Sequence, residues 1–302
     1  MIRNLANLDR DIGQALGRII QEAFADGLVI EKQYSGGGQL SGGVAQDIYE
    51  ESISQNFDIG TRYVQDDRVF RYCKAGSTLY ALMEGYCGNF PREGNTAPVV
   101  YPAGSYTITI PTNPNGVNHA KEIVANYWNG GYIWIMQYPI VTGCGQLYRI
   151  ASSAAAVGGY ITLTLVKPLK YEVAASSWIT AWPNVYSDIK GGSQVRMSNV
   201  CIPLIPVTDQ YYFWGQTWGP CFAASGQSPG RNDMDREVYF HPSDLTPGQR
   251  GIMPGSQVGF NASGRKVPQR AGFLITNTTP WTNADGNPEL GGDQFYMLML
   301  SP

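Results

Sequence analysis

The chain reads as a mainly β protein in which an N-terminal amphipathic helix on a Gly-rich tether is followed by β-sandwich or β-barrel domains. Three observations predict this. From residue 57 onward, short runs alternate apolar and polar residues at period two. Gly (36) and Pro (19) are plentiful enough to punctuate many strands with turns. Helical spacing, by contrast, is convincing only near the N-terminus, over residues 5–24.

In that first element Leu5, Leu8, Ile12, Leu16, Ile19, Ile20, Ala23 and Phe24 recur at three- and four-residue steps, with Asp9, Arg10, Gln14, Arg18 and Gln21 between them. Asn4 fits an N-cap and Gly27 a stop. The apolar stripe needs a surface to cover it, either the chain's own β body, a neighbouring subunit or further copies of the same helix. Residues 34–43 (YSGGGQLSGG) have the composition of a flexible tether. Residues 1–56 are therefore read as arm and linker.

The strand candidates follow in order: Ser105–Ile110, Gly131–Met136, Gln146–Ile150, Tyr160–Val166, Trp178–Trp182, Tyr211–Trp214, Ala271–Thr276 and Gln294–Leu300. Residues 117–127 fit either a short helix or the lead-in to a strand. Residues 225–270 are rich in Gly, Pro, Asn and Arg and read as a long surface loop, functional or interface-forming. Prolines at 203 and 206 suggest a division into a first β domain at 57–206 and a second at 207–302, although an edge strand within one domain fits them too.

Composition narrows the function classes. Charged residues make up 15% of the chain, against roughly 25% in ordinary globular proteins. With Tyr (19) and Trp (7) abundant, part of the surface is expected to face protein and not water. The net charge of −3, without a basic stripe, argues against nucleic acid as a partner. No run approaches the ~18 apolar residues of a membrane span, and the acidic N-terminus does not fit a secretory signal. The expected setting is bacterial cytoplasm with free thiols. The five cysteines (Cys73, Cys87, Cys144, Cys201, Cys221) form no C-x-x-C pair.

Catalytic motifs fail on their mechanics. Gly226-Gln-Ser-Pro-Gly230 matches G-x-S-x-G, but the residue after Ser228 must lend an N–H to an oxyanion hole, and Pro229 has none. His119 and His241 lack a second ligand at metal-binding spacing. The oxygen-rich stretches at 232–237 and 283–287 do not complete a calcium loop and are read as turns. No catalytic residue, cofactor or metal is assigned. Paired carboxylates for glycan cleavage leave no sequence spacing to search for.

Two segments carry a resemblance. Residues 57–76 (FDIGTRYVQDDRVFRYCKAG) and 212–223 (YFWGQTWGPCFA) resemble stretches of virion structural proteins of tailed bacteriophages. The resemblance implies a capsid-associated decoration or cement protein on the virion surface. Its expected partners are the major capsid protein and further copies of the chain, with a trimer at threefold positions. Trp134, Trp182, Trp214 and Trp218 are candidate contact residues beside the arm residues Leu5, Leu8, Ile12, Leu16 and Ile19; core packing is the competing role for each Trp. A major capsid protein, a tail or head fibre component and a glycan-binding or glycan-cleaving spike are the other readings.

Overall fold

The computed structural model describes residues 46–89, 92–112, 119–136, 145–192, 197–223, 236–240, 252–254, 268–275, 281–282, 288–289 and 295–302. The helix expected over 5–24, with its contact residues Leu5, Leu8, Ile12, Leu16 and Ile19, and the tether at 34–43 lie outside them. So do Ser228, Pro229, His241, Cys144 and the loop at 283–287. All described residues belong to the unit Ser35–Pro302.

The described chain is mainly β. Strands β1 (Arg62–Gln65), β2 (Arg68–Lys74) and β3 (Gly85–Cys87) come first. Then come β4 (Arg92–Thr96), β5 (Thr107–Pro111), the short helix α1 (His119–Glu122), β6 (Tyr132–Met136), β7 (Gly145–Ser153), β8 (Tyr160–Leu165) and β9 (Trp178–Trp182). The last group is β10 (Ile189–Gly191), β11 (Asn199–Pro203), β12 (Tyr212–Phe222), β13 (Glu237–Phe240), β14 (Ile252–Pro254), β15 (Arg270–Leu274), β16 (Trp281–Thr282), β17 (Pro288–Glu289) and β18 (Phe295–Met299). Each of the expected strands is present, most with ends shifted by one to three residues; Tyr211–Trp214 is the start of the longer β12, which runs on to Phe222, and residues 117–127 include the short helix.

These strands form two curled sheets and a small β16–β17 ladder. The smaller main sheet runs β4-β9-β6-β7-β8-β5, entirely from residues 92–182. Period-two alternation points Ile108, Ile110, Ile133, Ile135, Ile150, Ile161, Leu163, Ile179 and Ala181 into one core, where each is fully buried. Each large apolar side chain so buried contributes about 1.5–3 kcal/mol. Curling brings the edge strands β4 and β5 near each other.

The larger sheet runs β10-β3-β11-β12-β18-β15-β13-β14, with the β1–β2 hairpin attached through β2 to β12. Its centre does not alternate. In β2, Val69, Phe70, Tyr72 and Cys73 are all buried, and so is the run Phe213–Thr217 of β12. Both faces are covered there, as in a central strand. One side packs Tyr72 and Trp214 against Ile48 and Phe57; the other packs Cys73 and Phe213 against Cys201, Leu79 and Val207.

Three arrangements differ from the sequence-based boundaries. Residues 46–56, expected within the tether, are strapped to the large sheet: Ile48 is 2% exposed, and Ser52 exchanges backbone hydrogen bonds with Tyr212. The Gln46 amide group donates to the carbonyls of Glu50 and Tyr212 and accepts from the Tyr72 hydroxyl at 2.7 Å. Within the expected loop at 225–270, β13 and β14 pair, and Val238, Phe240 and Ile252 enter the core. Finally, pairing crosses residue 206: β2 lies against β12 from Tyr212↔Lys74 to Trp218↔Val69. The six-stranded sheet is instead nested between β3 and β10, which pair with each other through Ile189↔Cys87.

The stem of this nested module is polar and closed. Asp188 is buried beside Gly76 and Gly88, where an added Cβ would come within 1.9 Å and 2.7 Å of its carboxylate. It pairs with Lys121 at 2.9 Å. Asn89 donates to Ser187 Oγ at 2.7 Å and to the Asn184 carbonyl at 3.0 Å, and accepts from Tyr127 at 3.2 Å. Lys121 and Tyr127 come from the nested segment, so these contacts join it to the large sheet.

Candidate functional site

Alternation that points one row of side chains into a core points the next row outward. On the six-stranded sheet the outward row of β6 is Tyr132, Trp134 and Met136, and that of β9 is Trp178, Thr180 and Trp182. Register places Tyr132 opposite Trp182, Trp134 opposite Thr180 and Met136 opposite Trp178. On the other flank Arg149, Leu147 and Gly145 of β7 face the same three β6 residues. Trp178 is 50% exposed, Tyr132 48% and Trp182 37%. Trp134 is partly buried, and its Nε1 lies 3.3 Å from the point where a Cβ on Gly145 would stand. Its indole therefore leans across β7 into space that a glycine leaves open.

The large sheet has an outward face of different chemistry. Trp218, Pro220 and Phe222 of β12 lie opposite Met299, Met297 and Phe295 of β18, and Phe273 of β15 continues the row from Met297. Phe222, Phe273 and Phe295 are each about two-fifths exposed. Polar groups stand at its rim: Glu237 opposite Phe273 pairs with Arg270 at 3.2 Å and accepts from the Tyr239 hydroxyl at 2.7 Å. Phe222, Phe273, Phe295, Met297, Met299 and Trp178 are not among the contact residues expected from the sequence. The signal for them was the strand alternation itself, once each inward row is known.

The four candidate tryptophans therefore separate. Trp134 and Trp182 share the face of the six-stranded sheet, and Trp218 lies on the other face. Trp214 is core: it is 3% exposed, packs edge-on against Tyr72 at 4.9 Å and donates its indole N–H to the Gln46 carbonyl at 3.0 Å.

The two segments carrying the phage resemblance form β1, β2 and β12, which are hydrogen-bonded neighbours. Three of their polar residues, Arg71, Gln216 and Thr217, hold the fold together. Gln216 is 1% exposed and donates to the carbonyls of Trp218 at 3.1 Å and Pro220 at 2.8 Å, closing the irregularity between Gln216 and Trp218. The Thr217 hydroxyl donates to the Ser301 carbonyl at 2.6 Å. Gly219 has φ +93°, and a Cβ there would stand 2.1 Å from the Asp67 carbonyl oxygen, so only glycine fits. Arg71 reaches the carbonyls of Gly60 and Pro302.

Among the described thiols, Cys73 and Cys221 are not set up as nucleophiles. Cys73 and Cys201 are fully buried, on either side of Gly215: their sulfurs lie 3.2 Å and 2.7 Å from the position of an added Cβ there. Burial, and then the neighbouring Cys201, hold the Cys73 thiol well above its ordinary pKa, and burial lifts Cys221 to about 12. Both stay protonated and inert near neutrality. Among the described residues no group of three or more His, Cys, Asp or Glu side chains is placed to hold a metal ion.

Comparison of the chain with protein-family models, with curated proteins and with solved structures finds no match.

Proposed function

We propose that this chain is a structural protein of a tailed-phage virion that acts by binding: a decoration or cement protein that docks on the capsid shell and on copies of itself, as a trimer at threefold positions. The observation that carries the reading is the outward face of the large sheet, where Trp218, Pro220, Phe222, Phe295, Met297, Met299 and Phe273 adjoin on three paired strands. Apolar side chains in such a block, with charges only at the edge, have the make-up of the core of a protein–protein interface. Exposed to water, the block is a liability; covered by a partner, each large side chain contributes as a buried one does.

Further support comes from the placement of the resembling segments. They build the centre of the same sheet, with β12 contributing one row of the apolar block, so the resemblance and the face meet in one strand. The polar joint at Asp188 and Asn89 ties the nested module to that sheet, as a shell-clamping body requires.

Sedimentation velocity of the purified chain tests the self-association. The expected result is a homo-oligomer that dissociates to monomer in the double variant Phe222→Asp, Phe295→Asp, with its circular dichroism unchanged. Quantifying the chain in intact virions tests the shell role: a copy number matching capsid lattice sites fits it, whereas a handful of copies contradicts it in favour of a fibre or spike.

A further inference from the structure

We propose that the outward face of the six-stranded sheet is a carbohydrate-binding platform that takes a linear polysaccharide along β9. This goes beyond shell binding and uses a different surface. Trp178 and Trp182 stand four residues apart on one strand, which is roughly 13 Å at 3.3 Å per residue. Tyr132 lies beside Trp182, and Trp134 lies between the two ends on the neighbouring strand. The aromatic side chains thus form a line and not a cluster, and a line suits a polymer whose units repeat.

The Trp134 ring also lies low. Trp134 leans over Gly145, as its indole nitrogen shows. Thr180 points outward between Trp178 and Trp182, yet it is only 9% exposed, so the surrounding side chains cover it. Rings that lie over a sheet offer their faces to solvent. A pyranose presents a flat face of C–H bonds, and such a face stacks on the negative face of an aromatic ring. Protein partners instead seat upright anchors in pockets.

Hydrogen-bonding groups stand where the edge hydroxyls of a stacked sugar would reach. Arg149, exposed and opposite Tyr132, lies at one end, and Thr96, exposed and opposite Trp178, at the other. Arg149 is the sole charged side chain among the described outward residues of β6, β7 and β9, so the face suits a neutral or acidic glycan. The apolar block on the large sheet has its polar groups along one rim instead, at Glu237, Tyr239 and Arg270. Beneath the platform Ile133, Ile135, Ile179 and Ala181 are fully buried, and β6 is paired on both sides, so the rings are held before any ligand arrives.

Affinity electrophoresis in native gels containing dextran, mixed-linkage β-glucan, xylan, galactomannan or alginate tests the proposal on the full chain. The expected result is retardation by at least one of these polysaccharides. The double variant Trp178→Ala, Trp182→Ala should lose it by tenfold or more while keeping the wild-type thermal midpoint to within a few degrees, and Phe222→Asp, Phe295→Asp should retain it. Arg149→Met should weaken it several-fold. Absence of retardation in all five gels overturns the proposal. So does retardation that survives in the tryptophan variant, or a tryptophan variant whose altered property is its sedimenting mass, which would make the face a protein contact.

Discussion

The two sheets of this protein are built in opposite ways. The six-stranded sheet comes from one continuous stretch, residues 92–182, and at its centre β6 pairs with β7 and β7 with β8, strands adjacent in the chain. The large sheet is assembled from both sides of that stretch, and its central pairing, β2 with β12, spans well over a hundred residues. The first is held by repeated inward isoleucines. The second depends on a few special positions that let distant segments meet: Gly219 over Asp67, Gly215 between two thiols, and Gln46 beneath Trp214. Their outward faces differ in the same spirit, one a line of aromatic side chains with polar ends and the other an apolar block with a charged rim.

Breaking the long-range pairing should have the largest effect. Gly219→Ala places a Cβ 2.1 Å from a backbone oxygen at φ +93°, where neither side yields cheaply. The expected cost is at least about 4 kcal/mol, among the larger single-residue effects. It would be read as a lost or strongly lowered denaturant midpoint; a midpoint within experimental error of wild type would show that the β2–β12 crossing is not the weak point of the large sheet.

Alkaline titration reports on the core of the large sheet. Burial raises the Tyr72 hydroxyl to about 12 and the Cys221 thiol to about 12, and both groups lie in the large sheet. Both are neutral when protonated, so the folded state favours the protonated form. Their contribution is complete below the unfolded pKa values, about 8.5 for a thiol and about 10 for a phenol. It is lost as pH climbs toward about 12. Denaturant midpoints measured from pH 8 to 12 should therefore fall above pH 9, and a flat profile would contradict the burial of these groups.

Smaller effects are expected at the stem and among the thiols. Asp188→Asn keeps the shape but removes the charge facing Lys121, whose ammonium is half exposed. The expected loss is about 1–2 kcal/mol in the denaturant midpoint. An aromatic disulfide reagent should react with the native protein's Cys73 and Cys201 on the order of 100-fold more slowly than with the denatured chain, since both thiols are buried out of its reach. Labelling followed by peptide mass spectrometry would read the rate site by site.

Much of the six-stranded sheet was legible because its strands alternate cleanly, as in Tyr160–Leu165 and Thr107–Pro111. The large sheet was harder to read. Val69, Phe70, Tyr72 and Cys73 carry no period-two signal, because both faces of β2 are covered, and pairing across a nested module leaves no local trace. The prolines at 203 and 206 suggested a boundary where β11 ends and β12 is about to pair with it. The strap at 46–56 looked like linker because its one large apolar anchor, Ile48, is isolated in sequence. The candidate faces were half visible: Trp134, Trp182 and Trp218 could be named from composition, but only register shows which side chains stand beside them.

With the proposed function and the glycan platform together, the two outward faces have separate tasks, assembly on the large sheet and ligand stacking on the small one. Sedimentation velocity on three proteins tests it most directly: wild type, Phe222→Asp with Phe295→Asp, and Trp178→Ala with Trp182→Ala. One oligomeric mass is expected for wild type and the tryptophan variant alike, and a monomer for the phenylalanine variant. A monomeric wild type, or an oligomer broken by the tryptophan changes and not by the phenylalanine ones, would contradict it.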